Sequence, residues 1–178
     1  VSMFYHGQPL DILLEKTRLV TEITHAHPAA IEGAALVALC VSCALQGFPM
    51  ADALNYFVTA YPGTLFLSKV HRLQTLVTSH TTPSPSEIVR TFGNGIIALD
   101  SCATAMAIAH CFKDKPFQSL VEFTAQCKGD VDTIAAMAGA WWGATNGDAG
   151  LQKIAIEDRE AIVRVGEQLY GHASRYGN

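Results

Sequence analysis

The sequence predicts an all-α protein, and three observations carry that prediction. Apolar residues recur at helical spacing along nearly the whole chain. No stretch shows sustained period-two alternation of β-branched residues. Prolines and glycines fall where helices would start and stop.

The elements follow in order. Leu10, Leu13, Leu14 and Thr17 share one face of a first helix. Pro28 opens a second, since a proline in the first turn gives up an N–H that has no helical partner anyway. Ile31, Ala34, Ala35, Ala38, Leu39 and Ser42 continue it towards a stop near Gly47. Pro49 opens a third helix to Tyr61, with Pro62-Gly63 as its end, and Leu65 to Ser79 reads as a fourth, amphipathic one. His80 to Ser86 is the most loop-like segment. Within it, Ser84 and Glu87 have capping-box spacing for a short helix that ends at Gly93. After Gly93-Asn94-Gly95, the run Ile96 to Cys111 is almost entirely apolar and small, as expected of a central helix. Lys113 to Lys115 form a charged turn, Pro116 starts a helix to Cys127, and helices over Asp132–Ala144 and Asp158–Tyr170 complete the chain. Residues 1–178 read as a single domain segment with short connections and no fixed repeat.

A chain of 178 residues can bury a substantial core. Charged residues make up only 16%, against about 25% in a typical soluble domain. Either the helices bury much of their surface in one another, or part of it lies against another segment. The net charge of −4 gives no electrostatic footprint for nucleic acid or an anionic membrane surface. The apolar run Ala34–Leu45 is shorter than the roughly 18 residues a spanning helix needs, so no membrane is expected. No secretory signal opens the chain, and Val1 in place of Met fits a chain that was processed, cut or taken from a longer sequence. Cys40 and Cys43 form a CxxC inside a helical run without a second pair. With Cys102, Cys111 and Cys127 they read as buried thiols of a cytoplasmic (intracellular) protein.

The chemistry concentrates at Lys128-Gly129-Asp130-Val131-Asp132-Thr133, where a turn becomes a helix. Asp is favoured at helix starts simply as a cap, and that reading stands beside a functional one. Gly129 permits backbone angles that aim both carboxylates and the Thr133 hydroxyl towards one point. The helix behind them is lean, and Gly139 and Gly143, four apart, suggest close packing that holds its end rigid. Two carboxylates and a hydroxyl are hard oxygen ligands suited to Mg²⁺ or Mn²⁺, but they make only half of an octahedral set. Trp141-Trp142 reads as packing, because adjacent helix residues cannot face one ligand.

The segment Lys128 to Ala144 resembles the signature of the ADP-ribosylglycohydrolases, Gly-Gly-Asp-Thr-Asp-Thr followed by Ile-Ala and a Gly/Ala-rich helix. Thr24-His25-Ala26-His27-Pro28, with Gly33-Ala34 after it, is similar to that family's Thr-His segment. Phe92-Gly93-Asn94-Gly95-Ile96, then Asp100-Ser101, is similar to its Gly-Asn-Gly loop. Lys128 stands where the family has its first glycine, and Val131 where it has threonine.

The resemblance implies a multi-helix ADP-ribosylglycohydrolase-like orthogonal bundle of which this chain is the carboxy-terminal half. It implies a binuclear magnesium site (Mn²⁺ as a substitute) with Asp130, Asp132 and Thr133 as ligands and Asp132 as the bridge. His27 would lie beside bound ADP-ribose, with His25 a structural hydrogen-bonding residue. Gly95 and Ile96 would offer backbone groups near the nucleotide end. The implied function is magnesium-dependent removal of ADP-ribose from a modified protein or other conjugate. The family's remaining metal ligands, a glutamate and a Thr-Asp-Asp run, belong to an amino-terminal half whose counterpart is absent from these residues. The catalytic acid or base is expected there, and that half is the implied partner. The alternative is a catalytically inactive helical structural or interaction protein on the same scaffold.

Overall fold

The computed structural model describes residues 1–79, 81–151 and 154–176. Among them the regular structure is all α-helical: α1 (Ser2–Tyr5), α2 (Leu10–Glu22), α3 (Pro28–Leu45), α4 (Met50–Ala60), α5 (Leu67–Thr78), α6 (Pro85–Phe92), α7 (Ala98–Cys111), α8 (Phe117–Cys127), α9 (Val131–Asn146) and α10 (Arg159–Tyr176). The expected helices are all present. α1 was not anticipated, because four residues are too few to show a period. α10 continues past the expected Tyr170 to Tyr176. His80, at the head of the expected loop, lies outside the described residues, and 81–84 are irregular.

Three helices form the centre. α7 packs on α9 and on α3, and α3 packs on α9. α7 is apolar and small all round, and every residue from Ser101 to Ala109 is buried, as a helix enclosed on all sides requires. Around these, α2 and α4 flank α3, α5 and α6 cover α7, and α8 lies against α9. Phe57, Phe66, Leu36, Leu39, Met106 and Ile134 are among the large side chains fully withdrawn from water. α3 has 18 residues and a mean hydropathy of 1.9, enough by length and composition to cross a membrane. The expected apolar run is shorter because it begins only after Glu32 and Gly33. Half of α3 is buried against other helices. The carboxylate of Glu32 is used inside the fold, accepting from the Thr64 hydroxyl at 2.7 Å and the Leu65 N–H at 3.0 Å. α3 is therefore a core helix of this bundle.

Local chemistry explains most boundaries. At α6 the expected capping box forms, with Ser84 and Glu87 each taking the other's backbone N–H. α5 starts at Leu67 rather than Leu65: the Thr64 hydroxyl and Leu65 N–H bind Glu32, and Thr64 accepts the Phe66 and Leu67 N–H groups in a tight turn before the helix. α7 starts at Ala98 rather than Ile96, because the residues before it form a loop held by the turn that opens α9.

Two packing expectations separate. Trp141 and Trp142 are both buried, at 4% and 2% exposure, and the Trp142 indole donates to the Lys115 carbonyl at 3.0 Å. Gly139 does allow a close approach, since a Cβ there would stand 3.2 Å from the Phe117 ring. Gly143 does not: nothing lies within 4 Å of a Cβ built on it. Phe117 of α8 thus crosses α9 at Gly139, its ring also packing on Trp142 at 5.3 Å between centroids.

Candidate functional site

The three central helices start around one place. His27 precedes α3, Ile97 precedes α7 and Asp130 precedes α9. Between these starts lies a cleft of about 800 Å³. One wall is His25, His27, Ala30, Ala34 and Val37; another is Ile96, Ile97, Ala98 and Ser101; Thr133 and Met137 close the third. Helix starts carry unpaired N–H groups and the positive end of the helix dipole. A cleft bordered by three of them suits an anion more than its apolar lining alone would suggest.

The acidic turn sits at the edge of this cleft. Asp130 occupies the N-cap position of α9 without making a side-chain cap bond. Its carboxylate instead accepts from the Thr133 hydroxyl at 3.0 Å, which keeps carboxylate and hydroxyl side by side. The capping reading of Asp130 therefore fails for its side chain. Asp130 is half-buried, and Asp132 and Thr133 are exposed. Thr133 lines the cleft, while the two aspartates stand just outside its wall. Among the described residues no three His, Cys, Asp or Glu side chains gather closely enough to hold a metal ion. The donors are of the type a hard divalent cation takes, and fewer than its coordination set needs.

The turn's geometry is imposed from outside it. The Asp130 N–H donates to the Asn94 carbonyl at 2.9 Å, and the Asn94 side chain donates to the Cys127 carbonyl at 2.9 Å. A Cβ on Gly129, at φ +73°, would stand 2.1 Å from the Asn94 carbonyl oxygen, so the glycine is required by this contact. Lys128 also has a positive φ of 56° with ψ −167°, a region that essentially only glycine occupies without strain. The departure from the family's Gly-Gly pair thus falls on a residue whose backbone still follows the glycine path.

The loop before α7 is braced on its other side. Gly93, at φ +87°, has the Asp100 carboxylate so close that a Cβ would meet it at 2.4 Å. Lys69 donates to the Phe92 carbonyl and to Asp100, each at 2.6 Å, and Thr104 donates to the Gly93 carbonyl at 2.6 Å. The sequence reading quoted Asn94 and Asp100 only as parts of a motif and did not single out Lys69 or Thr104. Lys69 and Asp100 are 31 residues apart, and no local pattern links them.

The histidine wall is simpler. The His27 ring accepts the Ala29 N–H at 3.1 Å, capping α3. His25 bonds to the Thr24 hydroxyl at 2.8 Å. Both histidines and Ile96 line the cleft; Gly95 does not, and faces Asp100 instead. Cys102 is also on the cleft wall, but burial pushes its thiol up to about 11, against a smaller opposing effect of a Ser101 hydrogen bond. It is a packing group and not a nucleophile. All five cysteines are free, and four of them are buried.

The site is thus a set of hard-oxygen donors beside a cleft framed by three helix starts in an all-helical fold. Comparison with known proteins makes this specific. The ADP-ribosylglycohydrolase family model matches residues 1–178. ADP-ribosylhydrolase ARH3 of Danio rerio is 30% identical over 74% of this chain and 43% of its own length. ARH3 of Mus musculus is 32% identical over 73% and 42%, and ARH3 of Xenopus tropicalis 28% identical over 96% and 57%. The chain belongs to the ADP-ribosylglycohydrolase family. It spans about half the length of these curated relatives.

Proposed function

We propose that this chain forms part of the metal site and one side of the ligand cleft of a hydrolase that removes ADP-ribose from a modified protein or other conjugate. The observation that carries the proposal is the start of α9. There Asp130, unused as a cap, and Thr133 are held together at the edge of a cleft that two other helix starts share. The names of the relatives, ADP-ribosylhydrolases, supply the reaction class.

Asp130, Asp132 and Thr133 would hold Mg²⁺, or Mn²⁺ in its place, together with ligands from the complementary amino-terminal half of the fold. A divalent cation there supplies positive charge that draws ribose hydroxyls and a water to an otherwise acidic site. The chain's own residues do the rest of its share. The starts of α3 and α7 offer N–H groups to the pyrophosphate. His27 stands at the lip beside the ligand, and the backbone at Ile96 borders the nucleotide end, with Gly95 set back against Asp100. Ala34, Val37 and Met137 form an apolar floor without bulk. The general acid or base comes from the complementary half. That half would also cover Leu19, Val20, Ile23, Ile96 and Ile97, apolar side chains that are exposed here, Ile96 at 83%. Apolar surface of this kind commonly marks an interface.

A second reading, a scaffold protein without hydrolysis, is favoured by one observation: among the described residues the acidic donors are too few to hold a metal alone. Calorimetry on the assembled protein, with ADP-ribose and with AMP, separates the two. Removing metal with a chelator should weaken ADP-ribose more than AMP, since only ADP-ribose carries the distal ribose. Asp132→Asn should do the same while leaving the fold intact, because Asp132 is exposed in the first turn of α9 and Asn keeps its size. Equal losses for the two ligands would place the metal elsewhere. No ADP-ribose binding by a metal-loaded assembly would leave the scaffold as the function.

A further inference from the structure

We infer that Lys69 and Asp100 are positioning residues for the acidic turn, acting through the loop at residues 92–95; this inference rests on the metal-binding reading of Asp130 and Asp132. Neither residue reaches the cleft. Their ion pair lies behind the loop, with side chains only 20% and 28% exposed. Lys69 ties the last carbonyl of α6, at Phe92, to the first turn of α7, at Asp100. The Asp100 carboxylate fills the hollow of the loop, against Gly93 and 3.0 Å from a Cβ built on Gly95. With the back of the loop filled and Thr104 holding the Gly93 carbonyl, Asn94 is pushed to the front. There its carbonyl takes the Asp130 N–H and its side chain takes the end of α8 at Cys127. One ion pair thus fixes, through a single residue, both the end of the helix before the acidic turn and the first N–H of the turn itself.

The coupling has a physical reason to matter. A half-buried carboxylate that loses its cation draws in water or turns outward. Either movement vacates the hollow behind Gly93 and releases Asn94. Mg²⁺ demands near-ideal octahedral geometry at short distances, so a small displacement of Asp130 and Asp132 is felt as lost affinity.

The test uses the assembled protein with Lys69→Met, Lys69→Arg and Asp100→Asn. Amide hydrogen exchange at Asp130, measured without metal or nucleotide, reads the Asn94 contact directly. Mn²⁺ binding followed by electron paramagnetic resonance reads the placement of the carboxylates. In Lys69→Met the Asp130 amide should exchange about tenfold faster or more. Its Mn²⁺ affinity should fall about 10- to 100-fold, the range for groups that orient metal ligands. Lys69→Arg, which keeps charge and reach, should recover most of both. Where Lys69→Met does not fold, Asp100→Asn carries the test, with the same directions and smaller size. Wild-type exchange at Asp130 in a folded variant overturns the positioning role. So does a lowered melting temperature with unchanged Mn²⁺ affinity, which would make the pair a stabilising contact only. If the wild-type assembly itself binds no Mn²⁺, the metal reading falls, a result separate from the exchange measurement.

Discussion

The two walls of the cleft are built by different means. The start of α3 is assembled from its own neighbours: Pro28 sets the first turn, His27 caps Ala29, and His25 bonds to Thr24. The start of α9 is assembled from far along the chain. Asn94 fixes the N–H of Asp130, the residue that opens α9, and the end of the preceding helix, and Lys69 and Asp100 fix Asn94. The histidine wall can therefore change without disturbing the rest of the fold. The acidic wall cannot, since several elements meet in its geometry. A metal site needs the second kind of wall, because its ligands tolerate little displacement, whereas a wall that only contacts a ligand can be local.

The sharpest way to break this contrast is Gly129→Ala. The new Cβ would meet a backbone carbonyl at 2.1 Å and sit at φ +73°, and neither flaw can relax through a side chain. The expected loss is about 3 kcal/mol, read as a large fall in denaturation midpoint. A variant as stable as wild type would show that the two loops are not in firm contact.

Lys128→Gly sharpens the contrast from the other direction. Lys128 holds a backbone conformation suited to glycine. Relief of that strain should exceed the entropy a glycine adds to the unfolded chain, for a net gain of about 1 kcal/mol. Thermal melting measures it. A loss of stability would mean that the Lys128 side chain contributes more than its backbone costs.

The smallest effect on the fold is expected from His27→Ala. Only one local cap bond disappears, on an exposed ring, so stability should fall by about 1 kcal/mol or less. ADP-ribose binding to the assembled protein should weaken more clearly than AMP-independent properties such as melting. Titration calorimetry beside a melting curve checks both. A collapse of the fold would show that the histidine wall is as interdependent as the acidic one.

Much of this architecture is legible in the sequence, and particular residues show why. Pro28, Pro49 and Pro116 mark helix starts through their own covalent geometry, and Ser84 with Glu87 closes a box within a single turn. Such signals act over a few residues, so reading along the chain finds them. The acidic turn was found in the same way, from Asp130, Asp132 and Thr133 at one helix start. The open surroundings of Gly143 are not legible there, because spacing along α9 does not say which neighbour crosses it, and Phe117 meets Gly139 and Trp142 instead.

By itself the sequence determined the all-helical class, the order and approximate limits of the helices, the buried character of α7, and the residues that carry the family's motifs. All of these depend on local backbone preference or on the period of apolar residues. Only the tertiary structure decided that three helix starts share one cleft, that Asp130 turns its carboxylate to the Thr133 hydroxyl and not to a backbone N–H of α9, and that Lys69 and Asp100 stand behind the loop holding Asn94. These depend on which distant groups the packed helices bring within hydrogen-bond reach, and sequence spacing carries no record of that distance.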